Sequence, residues 1–127
     1  MSAKILVIDD SALSRRTLRR VLETAGYDVV EADEGMAALE LYFLEKPDLV
    51  FLDLVMKGMY GLEVLEKLRE MDRDARVVVA SADIQSSTRG MVEAAGALAF
   101  ITKPFVAEQV LAAVSAALAE GQHSDTD

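Results

Sequence analysis

Five short apolar runs are spaced along the chain: Ile5-Leu6-Val7-Ile8, Val29-Val30, Leu49-Val50-Phe51-Leu52, Val77-Val78-Val79-Ala80 and Ala99-Phe100-Ile101-Thr102. None alternates apolar with polar residues, so each needs cover on both faces, and the amphipathic segments between them can supply it. Such a βα repeat predicts an α/β domain, a doubly wound five-stranded parallel sheet with helices on both faces. Four of the runs end on residues that handle phosphate or metal: Asp9-Asp10, Asp53, Ser81 and Lys103. In open parallel sheets ligands bind outside the carboxyl ends of the strands, so these groups are expected to converge on one cleft.

The first helix is expected to begin near Ser11, to bury Leu13, Thr17, Leu18, Val21, Leu22 and Ala25, and to stop at Gly26. The acidic pair Asp33-Glu34 reads as a turn or helix N-cap, and a second helix is expected over 36–46, which Pro47 ends. A third, over 62–71, buries Leu62, Leu65 and Leu68, with Gly61 at its entrance. The fourth, over 86–95, carries Ser, Thr and an internal Gly90 that costs about 1 kcal/mol relative to Ala, which makes it the element expected to move. The fifth, over 106–119, buries Val110, Leu111, Val114 and Leu118. Gly121 then opens a polar tail, so the chain divides into a domain over 1–120 and a tail over 121–127 expected to be disordered.

At 127 residues and 52% hydrophobic, the chain suits one domain with a sizeable core. Its 13 basic and 22 acidic residues give a net charge of -9, which disfavours nucleic acid and anionic membrane as partners and suits proteins or cations. There is no cysteine, hence no disulfide or thiolate metal site. The N-terminal apolar run is too short and too soon charged for a signal peptide, and no run approaches the roughly 18 residues of a membrane span, so a cytoplasmic location is expected.

Gathered in one cleft, Asp9, Asp10 and Asp53 repel one another. Each like-charge pair at ~4 Å costs on the order of 4 kcal/mol at an effective dielectric of ~20, more than one lysine offsets. Either a carboxylate is protonated or a divalent cation lies among them, and an all-oxygen donor set suits Mg²⁺. Lys103 and the Ser81 hydroxyl can hold phosphoryl oxygens, and one carboxylate can act as nucleophile. Asp53 is the best candidate, because it stands alone at its strand end.

Asp9-Asp10, Asp53-Leu54, Ser81-Ala82, Phe100 and Lys103-Pro104, in this order and at this spacing, resemble the receiver domains of two-component response regulators, of the stand-alone chemotaxis type, over roughly residues 4 to 119. The resemblance implies a flavodoxin-like sheet of order 2-1-3-4-5 and a phosphorylation switch rather than an enzyme with an external substrate, catalysing only its own phosphorylation and dephosphorylation. By it, Asp53 accepts a phosphoryl group from a histidine kinase, a phosphotransfer domain or a small phosphodonor. Asp10, Asp53 and the backbone carbonyl of Val55 would ligate Mg²⁺, with Asp9 acting largely through water. Ser81 would turn toward the phosphoryl group, Phe100 would take an inward position, and the surface of the fourth helix, fifth strand and fifth helix would change its downstream protein partners. The Lys103–Pro104 bond would be cis, as in about 5 to 6% of X-Pro bonds. A monomer or weak dimer is expected.

Singly, these residues have plainer readings: an acidic pair as a turn, Lys-Pro as a loop, Ser81 as a turn residue, Phe100 as core. The combination sets them apart, whereas His123 reads as an incidental residue. The chain departs from the family where Met56 is followed by Lys57 instead of proline and Tyr60 precedes Gly61. Arg15, Arg16, Arg19 and Arg20 form a basic face that is either simply solvated, with Arg19 and Glu23 paired at i,i+4, or docks an acidic kinase or phosphotransfer domain as in similar receivers. The residues two beyond Asp53 and Ser81 are Val55 and Asp83. Val55 cannot orient a water, so slow self-dephosphorylation is expected.

Three rival functions remain. A flavin carrier of the same fold would place two carboxylates against the flavin phosphate, and a haloacid-dehalogenase-type phosphatase needs Asp-x-Asp after the first strand, where this chain has Asp9-Asp10-Ser11. A phosphate-independent receiver-like interaction module is the third.

Overall fold

The computed structural model describes residues 2–56, 59–82 and 86–124, the side chains of residues 86, 87 and 120–124 excepted. Strands and helices alternate throughout: β1 (Lys4–Ile8), α1 (Ala12–Thr24), β2 (Asp28–Ala32), α2 (Gly35–Glu45), β3 (Leu49–Asp53), α3 (Gly61–Met71), β4 (Val77–Ser81), α4 (Ser86–Ala94), β5 (Ala99–Thr102) and α5 (Ala107–Ser124). All pairings are parallel and the sheet order is β2-β1-β3-β4-β5, as expected. The direction of winding reverses between β1 and β3, which opens the crevice at their carboxyl ends.

Strand alternation divides the core. Ile5, Val7, Leu49, Phe51, Val78 and Ala80 pack with Leu18 and Leu22 of α1 and Val110, Val114 and Ala117 of α5. Leu6, Ile8, Val50, Leu52, Val77 and Val79 pack instead with Ala38, Tyr42, Val64, Leu65, Leu68 and Val92 of α2, α3 and α4. At about 1.5–3 kcal/mol for each large apolar side chain buried, the central strands β1, β3 and β4 anchor both layers.

Local sequence sets most element ends. Ser11 caps α1, its hydroxyl accepting from the Ser14 N–H at 3.2 Å, and Glu34 caps α2 through the Ala37 N–H. Gly26 has φ +96°, and the Gly26 and Tyr27 N–H groups return to the carbonyls of Glu23 and Leu22, a helix ending that a side chain at Gly26 would strain. Gly61 is required for another reason. A Cβ there would overlap the Asp53 backbone oxygen and Leu54 Cα, so its absence lets the start of α3 close onto the end of β3.

Three expected core residues of α1 lie outside: Leu13 is 70% exposed, and Thr17 and Ala25 are also at the surface. Leu18 and Leu22 set the helix phase, and stepping back four residues from Leu18 leads to Ser14, which leaves Leu13 and Thr17 off the buried line. Helix α5 continues through Gly121 to Ser124, past the end expected at residue 119. The side chain of His123 and residues 125–127 lie outside the described residues, as do Lys57 and Asp83. Among the described residues, no helix is long and apolar enough to cross a membrane.

Two glycine substitutions should separate sharply in chemical denaturation. Gly61→Ala should destabilise the fold by about 1–3 kcal/mol through overpacking. Gly90→Ala, where a new Cβ meets nothing within 4 Å, should stabilise it by about 0.5–1 kcal/mol.

Candidate acidic site at the strand ends

Three strand ends, those of β1, β3 and β5, deliver charged residues to the same crevice. Asp9 follows β1 and is held at several points: its N–H donates to the Ala32 carbonyl at 3.1 Å, and its Oδ1 accepts from the Ser11 N–H at 2.9 Å. Asp53 ends β3 and accepts from the Val55 N–H at 3.3 Å. Lys103, just past β5, reaches across with Nζ 2.7 Å from Asp9 Oδ2 and 3.3 Å from Asp53 Oδ2. Both carboxylates are buried, with side-chain exposures of 5% and 6%, whereas Asp10 faces solvent.

Asp9, Asp10 and Asp53 each offer a carboxylate oxygen, and the three oxygens lie within 4.8 Å of one another. Burial and then the Asp9 charge raise the Asp53 pKa above the usual carboxylate range, against the opposing pull of Lys103 and the Val55 N–H. Burial alone would depress Lys103, but its hydrogen bond to Asp9 and the charges of Asp53 and Asp9 outweigh it, so its pKa is raised. Lys103 is therefore held as a cation between the two buried carboxylates. The all-oxygen donor set and its closeness fit a hard divalent cation such as Mg²⁺.

Ser81 ends β4, 1% exposed, and its carbonyl accepts from the Lys103 N–H at 3.0 Å, which ties the two strand ends together. The Lys103–Pro104 bond is cis. Phe100 is half-buried against the α2–α4 side of the core, with the Arg89 guanidinium 5.6 Å from its ring centroid. A cavity of about 610 Å³ beside Ser81 and Val55 is lined on its helical walls by Leu62, Thr88, Met91 and Val92. Tyr60 precedes α3 and is 74% exposed, providing no side-chain cap.

The basic face of α1 is divided. Arg16 and Arg20 are exposed, but Arg15 and Arg19 turn to Glu31 on β2, one on each carboxylate oxygen, with the Arg15 contact at 3.0 Å. Arg19 also pairs with Glu23 at 3.1 Å, the expected i,i+4 contact. Arg15 further donates from Nη1 to the Asp9 backbone carbonyl at 2.7 Å. Sequence reading missed Glu31, because its contact with α1 depends on β2 lying beside β1.

Residues 5–115 match the family described as the response regulator receiver domain. The chain belongs to the response regulator receiver family. It is 39% identical over 119 residues to the chemotaxis protein CheY of Bacillus subtilis, covering 93% of this chain and 99% of that one. To CheY of Thermotoga maritima it is 36% identical over 118 residues, covering 91% and 97%. The response regulator MprA of Mycobacterium ulcerans is 38% identical over 127 residues, and there this chain spans all of itself but 55% of the relative. Among solved structures, the chemotaxis protein CheY4 of Vibrio cholerae superposes with a TM-score of 0.89 at 27% identity, over 93% of this receiver and 100% of that chain. A CheY-like receiver from Methanospirillum hungatei shares the fold, with a TM-score of 0.93 at 24% identity over 98% of this chain and 99% of that one.

Glu31 gives this receiver a pH signature. Its pKa is lowered first by the Arg19 hydrogen bond and, against burial, also by Arg15. A lowered folded-state pKa stabilises the fold above the ordinary glutamate range and loses that contribution as pH falls through the folded value. Glu31→Gln should therefore lower the melting temperature at neutral pH, and its difference from wild type should shrink on acidification. A difference that stays constant with pH would show that the Glu31 charge contributes nothing.

Proposed function

We propose that this receiver is a phosphorylation switch in which Asp53 accepts a phosphoryl group from a histidine kinase, a phosphotransfer domain or a small acyl phosphate. The observation that carries the reading is the meeting of Asp9, Asp10, Asp53 and Lys103 at the carboxyl ends of three strands. An Asp53 oxygen would attack phosphorus, forming a P–O bond as the bond to the donor nitrogen or oxygen breaks and the donor leaves with the electron pair. A bound Mg²⁺, held by the carboxylates of Asp10 and Asp53 and the Val55 carbonyl, with Asp9 acting largely through water, would neutralise charge on the transferring group. Lys103 and the Ser81 hydroxyl would hold the remaining phosphoryl oxygens.

The phosphoryl group would then favour one of two pre-existing conformations through these contacts. Ser81 and Phe100 would couple it to the α4, β5 and α5 surface, where downstream proteins bind. Catalysis would be confined to the protein's own phosphorylation and dephosphorylation. The expected setting is the cytoplasm, with the protein a monomer or weak dimer. The exposed Arg16 and Arg20 would help to dock an acidic kinase or phosphotransfer partner.

Intact mass after incubation with acetyl phosphate should show one added phosphoryl group in wild type with Mg²⁺, and none without Mg²⁺ or in Asp53→Ala. A folded wild type that gains no phosphoryl group from acetyl phosphate or from any histidine kinase would favour the phosphate-independent interaction module. Val55, 61% exposed beside Asp53, has no polar atom on its side chain to orient an attacking water. The phosphorylated form should therefore decay slowly, and Val55→Asn should decay faster; an unchanged rate would remove Val55 from the account.

A further inference from the structure

We propose that Arg15 is a positioning residue for the cation site: clamped by Glu31, it fixes the Asp9–Asp10 peptide plane and so aims the Asp10 carboxylate. The inference rests on the reading of the acidic cluster as a divalent-cation site. Arg15 Nη1 donates to the Asp9 carbonyl at 2.7 Å while its Nε donates to Glu31 Oε1 at 3.0 Å. That carbonyl and the Asp10 N–H belong to one rigid peptide unit, so holding the carbonyl also fixes the start of Asp10.

Asp9 has side-chain anchors of its own, in the Ser11 N–H and Lys103. Asp10 is the exposed member of the cluster, and the peptide unit that Arg15 holds sets the point from which its side chain reaches the other two carboxylates. The clamp also has a rigid base. Glu31 is paired in register with Val7 of β1, and its second oxygen is taken by Arg19, so its carboxylate cannot swing away from Arg15. Arg15 is only 18% exposed in its side chain, and its charge is matched by Glu31. A planar guanidinium can make both contacts at once, which the single ammonium of a lysine does not reproduce.

The test is titration of the full chain with Mg²⁺ by calorimetry, with melting temperature measured separately without metal. Loss of such an orienting partner typically weakens metal affinity by 10- to 100-fold, so Arg15→Ala and Arg15→Lys should each weaken Mg²⁺ binding by about tenfold. Glu31→Gln should show part of that loss, and the Arg15→Ala/Glu31→Gln double variant should bind no more weakly than Arg15→Ala. If Arg15→Ala does not fold, Arg15→Lys and Glu31→Gln decide the matter. Full affinity in Arg15→Lys would show that charge alone suffices and overturn the proposal. So would unchanged affinity in Arg15→Ala, even with a lower melting temperature. A wild type that does not bind Mg²⁺ would instead overturn the reading of the cluster itself, and the proposal with it.

Discussion

Two buried carboxylates, Asp9 and Asp53, share the Lys103 ammonium, and much of the molecule serves to hold that arrangement together. Left alone, the two charges would separate or take up a proton, and the raised pKa of Asp53 is the sign of that tension. The parallel sheet prevents separation. Asp53 is the last residue of β3, Asp9 follows the neighbouring β1, and Lys103 follows β5, so their spacing is set by strand pairing. Burial excludes the water that would otherwise screen them. A site built this way favours added positive charge, which is what a divalent cation supplies.

The packing of the sheet explains why such a costly cluster survives. Apolar side chains cover both faces of β1, β3 and β4, and α1 and α5 lie on one side while α2, α3 and α4 lie on the other. The rigid part is the strand framework, and the polar groups appear only where the strands run out. Gly61 extends this framework by letting α3 begin directly against the Asp53–Leu54 backbone. Helix α4, with its internal Gly90, gives the opposite case: an element of poor intrinsic propensity, whose Arg89 lies over Phe100. Apolar packing is thus concentrated in the central strands that carry the carboxylates, and intrinsic helix propensity is lowest in α4.

Much of this was legible in the order of the residues. Doubly apolar runs gave the parallel sheet, and the polar residues ending four of them gave Asp9, Asp53, Ser81 and Lys103 as neighbours. Ser11, Glu34 and Gly26 marked helix ends through local hydrogen bonding and backbone freedom. Leu13 misled, because an apolar residue in a first turn looks like core until the helix phase is known. The arginines of α1 misled in a related way. As a sequence they form one basic face, but Glu31 divides them into a bound pair and an exposed pair.

The chain by itself thus determined its fold class, its strand ends and the kind of chemistry gathered there, because these follow from short-range periodicity and from the rule that ligands meet parallel sheets at their carboxyl edge. Only the tertiary structure decided that Lys103 bridges Asp9 and Asp53, that Arg15 holds the Asp9 carbonyl, and that Glu31 lies within reach of α1. Those contacts join residues from 6 to 94 positions apart. Strand order and helix rotation bring them together, and neither is encoded in any one stretch of the chain.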